Sequence, residues 1–140
     1  HIWRVSEWCA GALFDALAEH GVPLLVDVGE IDWDDIAGVL AAHPGMPLIV
    51  LRFYYRCDRF IYPLLEKYPN LYLESNTYGV FEGIEMVCER FGADRLIFGT
   101  GLPDLEAGGP MALITYADIS DEDKQLIAGG TMRRLLGEVH

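Results

Sequence analysis

Two charged residues stand where apolar runs end. Asp27 closes toward the end of Pro23-Leu24-Leu25-Val26-Asp27-Val28, and Arg52 ends Pro47-Leu48-Ile49-Val50-Leu51-Arg52. Arginine keeps its charge near neutrality and presents a planar fork that matches a carboxylate or a phosphate. Aspartate can neutralise that fork or ligate a divalent metal. If the two runs are neighbouring strands, these residues meet at matching strand ends. Two readings stay open. In one they are a catalytic pair, with Arg52 gripping an anionic substrate. In the other they are an ion pair that fills space, since an unpartnered buried charge is very costly. On the second reading, Arg52→Leu strands Asp27 and destabilises the fold strongly.

The other chemistry-bearing residues are sparser. His1 and His140 are terminal, and His20 and His43 each end a helical segment, where they suit the helix dipole and not a ligand role. Cys9, Cys57 and Cys88 are odd in number and far apart. Core packing suits Cys9 and Cys88. The three cysteines form neither a disulfide framework nor a zinc ribbon, and a reducing cytoplasm fits them. Trp3, Trp8 and Trp33 read as packing residues. Gly99-Thr100-Gly101 precedes no Lys-Ser pair on a long helix and is not a P-loop. It could hold an anion on its backbone amides, or simply turn the chain.

The elements that position these residues alternate. A helix is expected from Trp3 to His20, with Trp8, Ala12, Leu13, Ala16 and Leu17 as its apolar stripe and Gly21 as its stop. The run through Asp27 is a strand, and its continuous apolar character suits burial on both faces of a parallel sheet. Asp32 or Asp34 caps a helix to about Ala42. The run ending at Arg52 is the second strand, followed by a helix from Asp58 to about Lys67. Leu71–Ser75 is the third strand, Val80–Phe91 the next helix, and Arg95–Gly99 the fourth strand. A Gly- and Pro-rich loop spans Thr100–Pro110, then comes a short helix over Met111–Tyr116. Ser120 caps a last helix, broken at Gly129-Gly130 and resumed through Leu136. Strands recur about every 24 residues, the length of a βα unit. Four such units make either an open doubly wound sheet or half of an eight-stranded barrel.

Composition narrows the partners. Of the 140 residues, 51% are hydrophobic and 23% charged, as in an ordinary globular chain, and 10 basic against 22 acidic side chains give a net charge of −12. That excess repels nucleic acid and anionic membrane surfaces. The stretch from Lys124 to Arg134 holds only three positive charges. No apolar run reaches the roughly 20 residues of a membrane span. The start, His1-Ile2-Trp3-Arg4, lacks the pattern of a signal peptide and lacks Met, so either a natural start has been removed or the chain is a piece of a longer one. No linker divides residues 1–140, which read as a single segment.

Three motifs resemble one family. Phe91-Gly92-Ala93-Asp94-Arg95-Leu96-Ile97-Phe98-Gly99-Thr100-Gly101-Leu102-Pro103 is similar to the eighth-strand pattern F-G-x-D-R-[IL]-L-F-G-[ST]-D-x-P of amidohydrolases, in their branch of metal-dependent hydrolases and decarboxylases. Tyr68-Pro69-Asn70-Leu71-Tyr72-Leu73-Glu74 resembles their seventh strand, and Ile127–Leu136 their closing helix. The resemblance implies an α/β fold, a (β/α)8 TIM barrel of which this chain is the C-terminal four βα units. It implies a metal-dependent hydrolase, with metal ligands ending strands five, six and eight. At those positions stand Asp27, Arg52 and Gly101, so the metal site reads as degenerate. A divalent metal such as zinc would need ligands from the absent first half, plus Asp27. Asp104 and Glu106 could also reach back to stand in for Gly101.

On a barrel the loops after the strands carry the site. Asp27 and Arg52 are then the catalytic candidates. Glu30, Tyr54, Glu74, Asn76 and Thr100 are the substrate-binding candidates, with Tyr55, Asp104 and Glu106 beside them. The ligand expected is a small, anionic molecule. A non-catalytic anion-binding barrel or a regulatory subunit is the alternative to a hydrolase. The apolar strands call for partners on their open edges, either the N-terminal half-barrel or a second copy. Gel filtration checks this: the half-barrel should elute well above its monomer mass of 15.6 kDa, whereas an open sheet should run as a monomer.

Overall fold

The computed structural model of the chain describes residues 5–139. Four strands, β1 (Leu24–Asp27), β2 (Leu48–Leu51), β3 (Leu71–Glu74) and β4 (Leu96–Ile97), form one parallel sheet in chain order. Helices α1 (Glu7–His20), α2 (Trp33–Ala42), α3 (Asp58–Lys67) and α4 (Gly83–Phe91) each run before or between strands. Three more follow β4: α5 (Gly108–Thr115), α6 (Asp121–Gln125) and α7 (Thr131–Gly137). No described helix is long and apolar enough to cross a membrane.

Alternation along the strands divides the sheet into two faces. Val26, Leu48, Val50, Leu71, Leu73 and Leu96 belong to the main core, where Ile36, Leu40, Ile61, Leu65, Ile84 and Val87 of the helices meet them. Ile49, Tyr72 and Ile97 belong to a second core, closed by Leu135 of α7 with Met132 beside it. The ladder is in register: Asp27 pairs with Leu51, and Glu74 with Ile97. Asp27 and Glu74 therefore stand at the same end of the sheet, the carboxyl ends of the strands.

The opposite end is tied by side chains bonding to main-chain carbonyls. Asn70 is buried, and its amide donates to His43 O at 3.2 Å and Met46 O at 3.1 Å, with Leu40 O at 3.5 Å. Arg95 donates from Nε to Leu71 O at 2.9 Å and from Nη2 to Tyr68 O at 2.6 Å. These bonds satisfy carbonyls in the turns that enter the strands, groups that would otherwise be costly to bury.

Several boundaries differ from the sequence reading. The first helix begins at Glu7, and Trp3 lies outside the described residues. Its inward residues are Gly11 and Phe14, while Trp8 is 84% exposed, Leu13 is exposed, and so are Cys9, Ala12 and Ala16. Both stripes have helical spacing; the packing partner decides which turns inward, and here the Phe14 ring meets the His43 ring edge-on at 5.6 Å. Trp33 does pack, stacked on Phe60. The fourth strand is short because Arg95 lies in a 3-10 turn and Phe98 N donates to Ile127 O instead of to the ladder. The last crossover helix, α4, starts at Gly83, and the loop helix starts early, at Gly108. Asp32 is the α2 cap, accepting from Asp34 N, and the last helix kinks at Gly129 as expected.

Replacing Asn70 by Ala should lower the stability to urea by about 1–3 kcal/mol, since it removes the side-chain donor to Met46 O and one of the two donors to His43 O. Urea titrations of the two proteins check this, and an unchanged midpoint would remove Asn70 from the framework.

Candidate functional site

The mouth is assembled from the last residue of each strand and the loop that follows. Asp27 ends β1, and both of its oxygens are engaged. Oδ1 accepts from Gly29 N at 2.8 Å, and Oδ2 receives Nε and Nη2 of Arg52. Arg52 follows β2 with φ of 54°, a left-handed backbone unusual for a residue with a Cβ. That turn swings the side chain back over the sheet edge toward Asp27. Hydrogen bonding and charge from Asp27 hold the guanidinium above its ordinary pKa. The pair is not buried as the space-filling reading required: the Arg52 side chain is 51% exposed against 17% for Asp27. Solvent screens such a pair, so its loss should cost little stability. Nη1 of Arg52 is 3.9 Å from Asp104 Oδ2, a loose contact with a largely exposed carboxylate.

Glu74 ends β3 and is buried, only 8% exposed. Its Oε1 accepts from Asn76 N at 3.0 Å. Burial pushes its carboxyl up to about 7, and the bond from Asn76 only partly opposes that. The side chain lies over Gly99, where any Cβ would collide with it. Gly101, with φ of 69°, is similarly hemmed in: a Cβ there would fall 2.5 Å from Asn76 Nδ2 and 2.8 Å from Leu105 Cδ1. Asn76 Oδ1 is buried and lacks a hydrogen-bond partner. Asp27, Arg52, Glu74, Asn76, Gly99 and Asp104 share a cleft of about 300 Å³.

The remaining candidates separate. Glu30 and Tyr54 line a neighbouring hollow that Asp27 and Arg52 also touch. Tyr55 is exposed and meets the Tyr54 ring edge-on. Thr100 Oγ1 accepts from Leu102 N at 3.3 Å, so it serves the loop. Glu106 is exposed and does not line the cleft. Cys88 is half-buried, and burial raises its thiol to about 11, in keeping with an inert side chain. Cys9 is exposed and is not the core residue expected. Two features escaped the sequence reading. The depth of Glu74 follows from Gly99, two residues beyond β4, a signal visible only once strand register is known. His43 is buried and faces two carboxylates, which spacing along the chain does not show.

Titration of Glu74 should mark the stability curve. In the unfolded chain the carboxyl ionises near its ordinary 4.5, and in the folded chain near 7. Its contribution is full below the lower value, is lost as the pH rises toward 7, and then levels off. Glu74→Gln keeps the shape and removes the proton. Urea midpoints measured from pH 5 to pH 8 should fall more steeply for the native chain than for the variant; parallel curves would contradict the burial of this carboxyl.

The arrangement has counterparts among known proteins. The family model described as Amidohydrolase matches residues 3–137. No curated protein matches the chain. Among solved structures, an uncharacterized TIM-barrel protein from Bordetella bronchiseptica superposes with a TM-score of 0.80 at 19% identity. The match covers 97% of this chain and 53% of that one, so the chain spans about half the length of the barrel it resembles. Its four parallel strands are consistent with half of a (β/α)8 barrel. Motifs, fold and family match agree, and the chain belongs to the amidohydrolase family.

Proposed function

We propose that the mouth binds a small carboxylate-bearing molecule on Arg52 without a resident metal. One observation carries the reading: Arg52 is held charged by Asp27 along one edge, while its half-exposed guanidinium opens on the same cleft as Glu74. A guanidinium fixed in this way is pre-organised for a carboxylate. The loose Asp104 contact is the one an incoming carboxylate displaces. A cleft of about 300 Å³ is at the small end of ligand pockets and suits a molecule of a few heavy atoms.

Two further groups refine the ligand. Glu74 keeps its proton over much of the acidic range and can donate it to a ligand oxygen. The unpartnered Asn76 Oδ1 calls for a donor on the ligand. A small hydroxy acid supplies both. Glu74 also supports a hydrolytic reading. With a value near neutrality, it is suited to take a proton from water and return it to a leaving group.

The divalent metal implied by the family does not fit this donor set. Asp27 has both oxygens engaged, Arg52 is a fixed cation that repels a second one, and Gly101 has neither a side chain nor room for one. Among the described residues the one group of three potential metal donors lies away from the mouth. Recognition at the mouth therefore rests on Arg52, Glu74 and Asn76. We further propose that four more βα units close the ring, from the preceding chain or from a second copy. Leu25 on β1 is half-exposed, and an apolar groove runs between β1 and α1.

Titration with glycolate and with acetate, followed by NMR, tests the binding reading. Glycolate should bind tighter by about fivefold, the worth of one added hydrogen bond. Arg52→Leu should weaken both by about tenfold or more, and Asn76→Ala should erase the preference for glycolate. Binding that survives Arg52→Leu would end the proposal.

A further inference from the structure

A second cluster has the donors and spacing of a cation site. His43 sits in the turn between α2 and β2, with its side chain only 4% exposed. Each ring nitrogen faces a carboxylate from α1. Nε2 is 3.1 Å from Glu7 Oε2, at hydrogen-bond distance. Nδ1 is 3.4 Å from Asp15 Oδ1. Between these two acids on the helix is Gly11, where any side chain would collide with the Glu7 carboxyl. The missing Cβ lets that carboxyl lie along the helix and reach the ring.

A neutral imidazole has a single N–H. Glu7 Oε2 can only accept, so the Nε2 contact is an N–H donated by the ring. Nδ1 and Asp15 Oδ1 are held at 3.4 Å, a gap that a proton or a metal cation on the ring nitrogen fills. Zinc bonds imidazole nitrogen and carboxylate oxygen at about 2.0–2.2 Å in a tetrahedral shell. Two ligands of that shell stand roughly 3.3–3.5 Å apart by this geometry, and the Nδ1–Oδ1 separation is 3.4 Å. A carboxylate accepting the other ring N–H is the usual support of a metal-bound histidine, and Glu7 occupies that place. Donor atoms of all three side chains lie within 4.8 Å of one another.

We propose that His43 Nδ1 and Asp15 bind a divalent cation, best matched by zinc, with Glu7 orienting the ring and water completing the shell. The site is separate from the mouth. His43 stands at the turn entering β2, where Asn70 bonds its carbonyl, while Asp27 and Glu74 stand at the far ends of the strands. Bound there, the ion cross-links α1 to the α2–β2 turn and stabilises the native chain by mass action.

Calorimetric titration of the metal-stripped full chain with zinc sulfate at pH 7 tests this. One saturable equivalent is expected. Glu7→Gln should weaken it by roughly 10–100-fold, and Asp15→Asn and His43→Gln should do so by at least about tenfold. Asp15 is 74% exposed, so its variant keeps the fold. Zinc should raise the melting temperature of the native chain and not that of Asp15→Asn. No saturable uptake would leave the gap to a proton and overturn the site. Uptake that survives Asp15→Asn but falls with Asp27→Asn would place the ion at the mouth, overturning both this site and the metal-free reading there.

Discussion

Parallel strands held in register bring residues of equal height onto one level, and side chains two apart onto one face. In this chain that constraint sets the mouth. It carries Asp27 to the level of Leu51 and Glu74 to the level of Ile97, with the polar residues at the carboxyl ends and apolar ones below. A slip of one residue in β3 would turn Glu74 into the helix-facing core and Leu73 into the cleft. The buried turns at the other end oppose such a slip. Asn70, just before β3, binds carbonyls that precede β2, and Arg95, just before β4, binds carbonyls at the entry of β3, so neighbouring strands enter the sheet at linked heights.

Given that register, electrostatics at the mouth follow from two contrasting carboxyls. Asp27 meets a guanidinium and a backbone N–H and serves as a fixed support for Arg52. Glu74 meets the backbone of Asn76 and the bare surface of Gly99, and burial keeps its proton on well above the ordinary range. One acid is thus tied to a cation and the other titrates near neutrality. At Gly101, where the resemblance implies a metal-binding aspartate in relatives, Asn76 and Leu105 fill the space. A substitution back to aspartate would have to displace both.

Much of this was legible in the chain. The βα period, the four strands, the capping at Asp32 and Ser120, the kink at Gly129 and the meeting of Asp27 with Arg52 all follow from local patterns. The inward face of α1 was not, because Trp8-Ala12-Leu13-Ala16 and Gly11-Phe14 are both helically spaced and amphipathic spacing alone does not choose between them. The Asp27–Arg52 pair is shallower than its residue types suggest, because residue type reports charge but not solvent access.

Periodicity and turn residues act over a few neighbours, so the amino-acid sequence by itself determined the repeating units, their order and the charged residues at the strand ends. Register, depth and approach are long-range quantities. Only the tertiary structure decided that Glu74 lies against Gly99, that Arg52 turns back through a left-handed backbone, and that His43 rests between two acids of a helix 36 and 28 residues away. Those contacts depend on where separate elements pack, and packing is settled by the whole core at once.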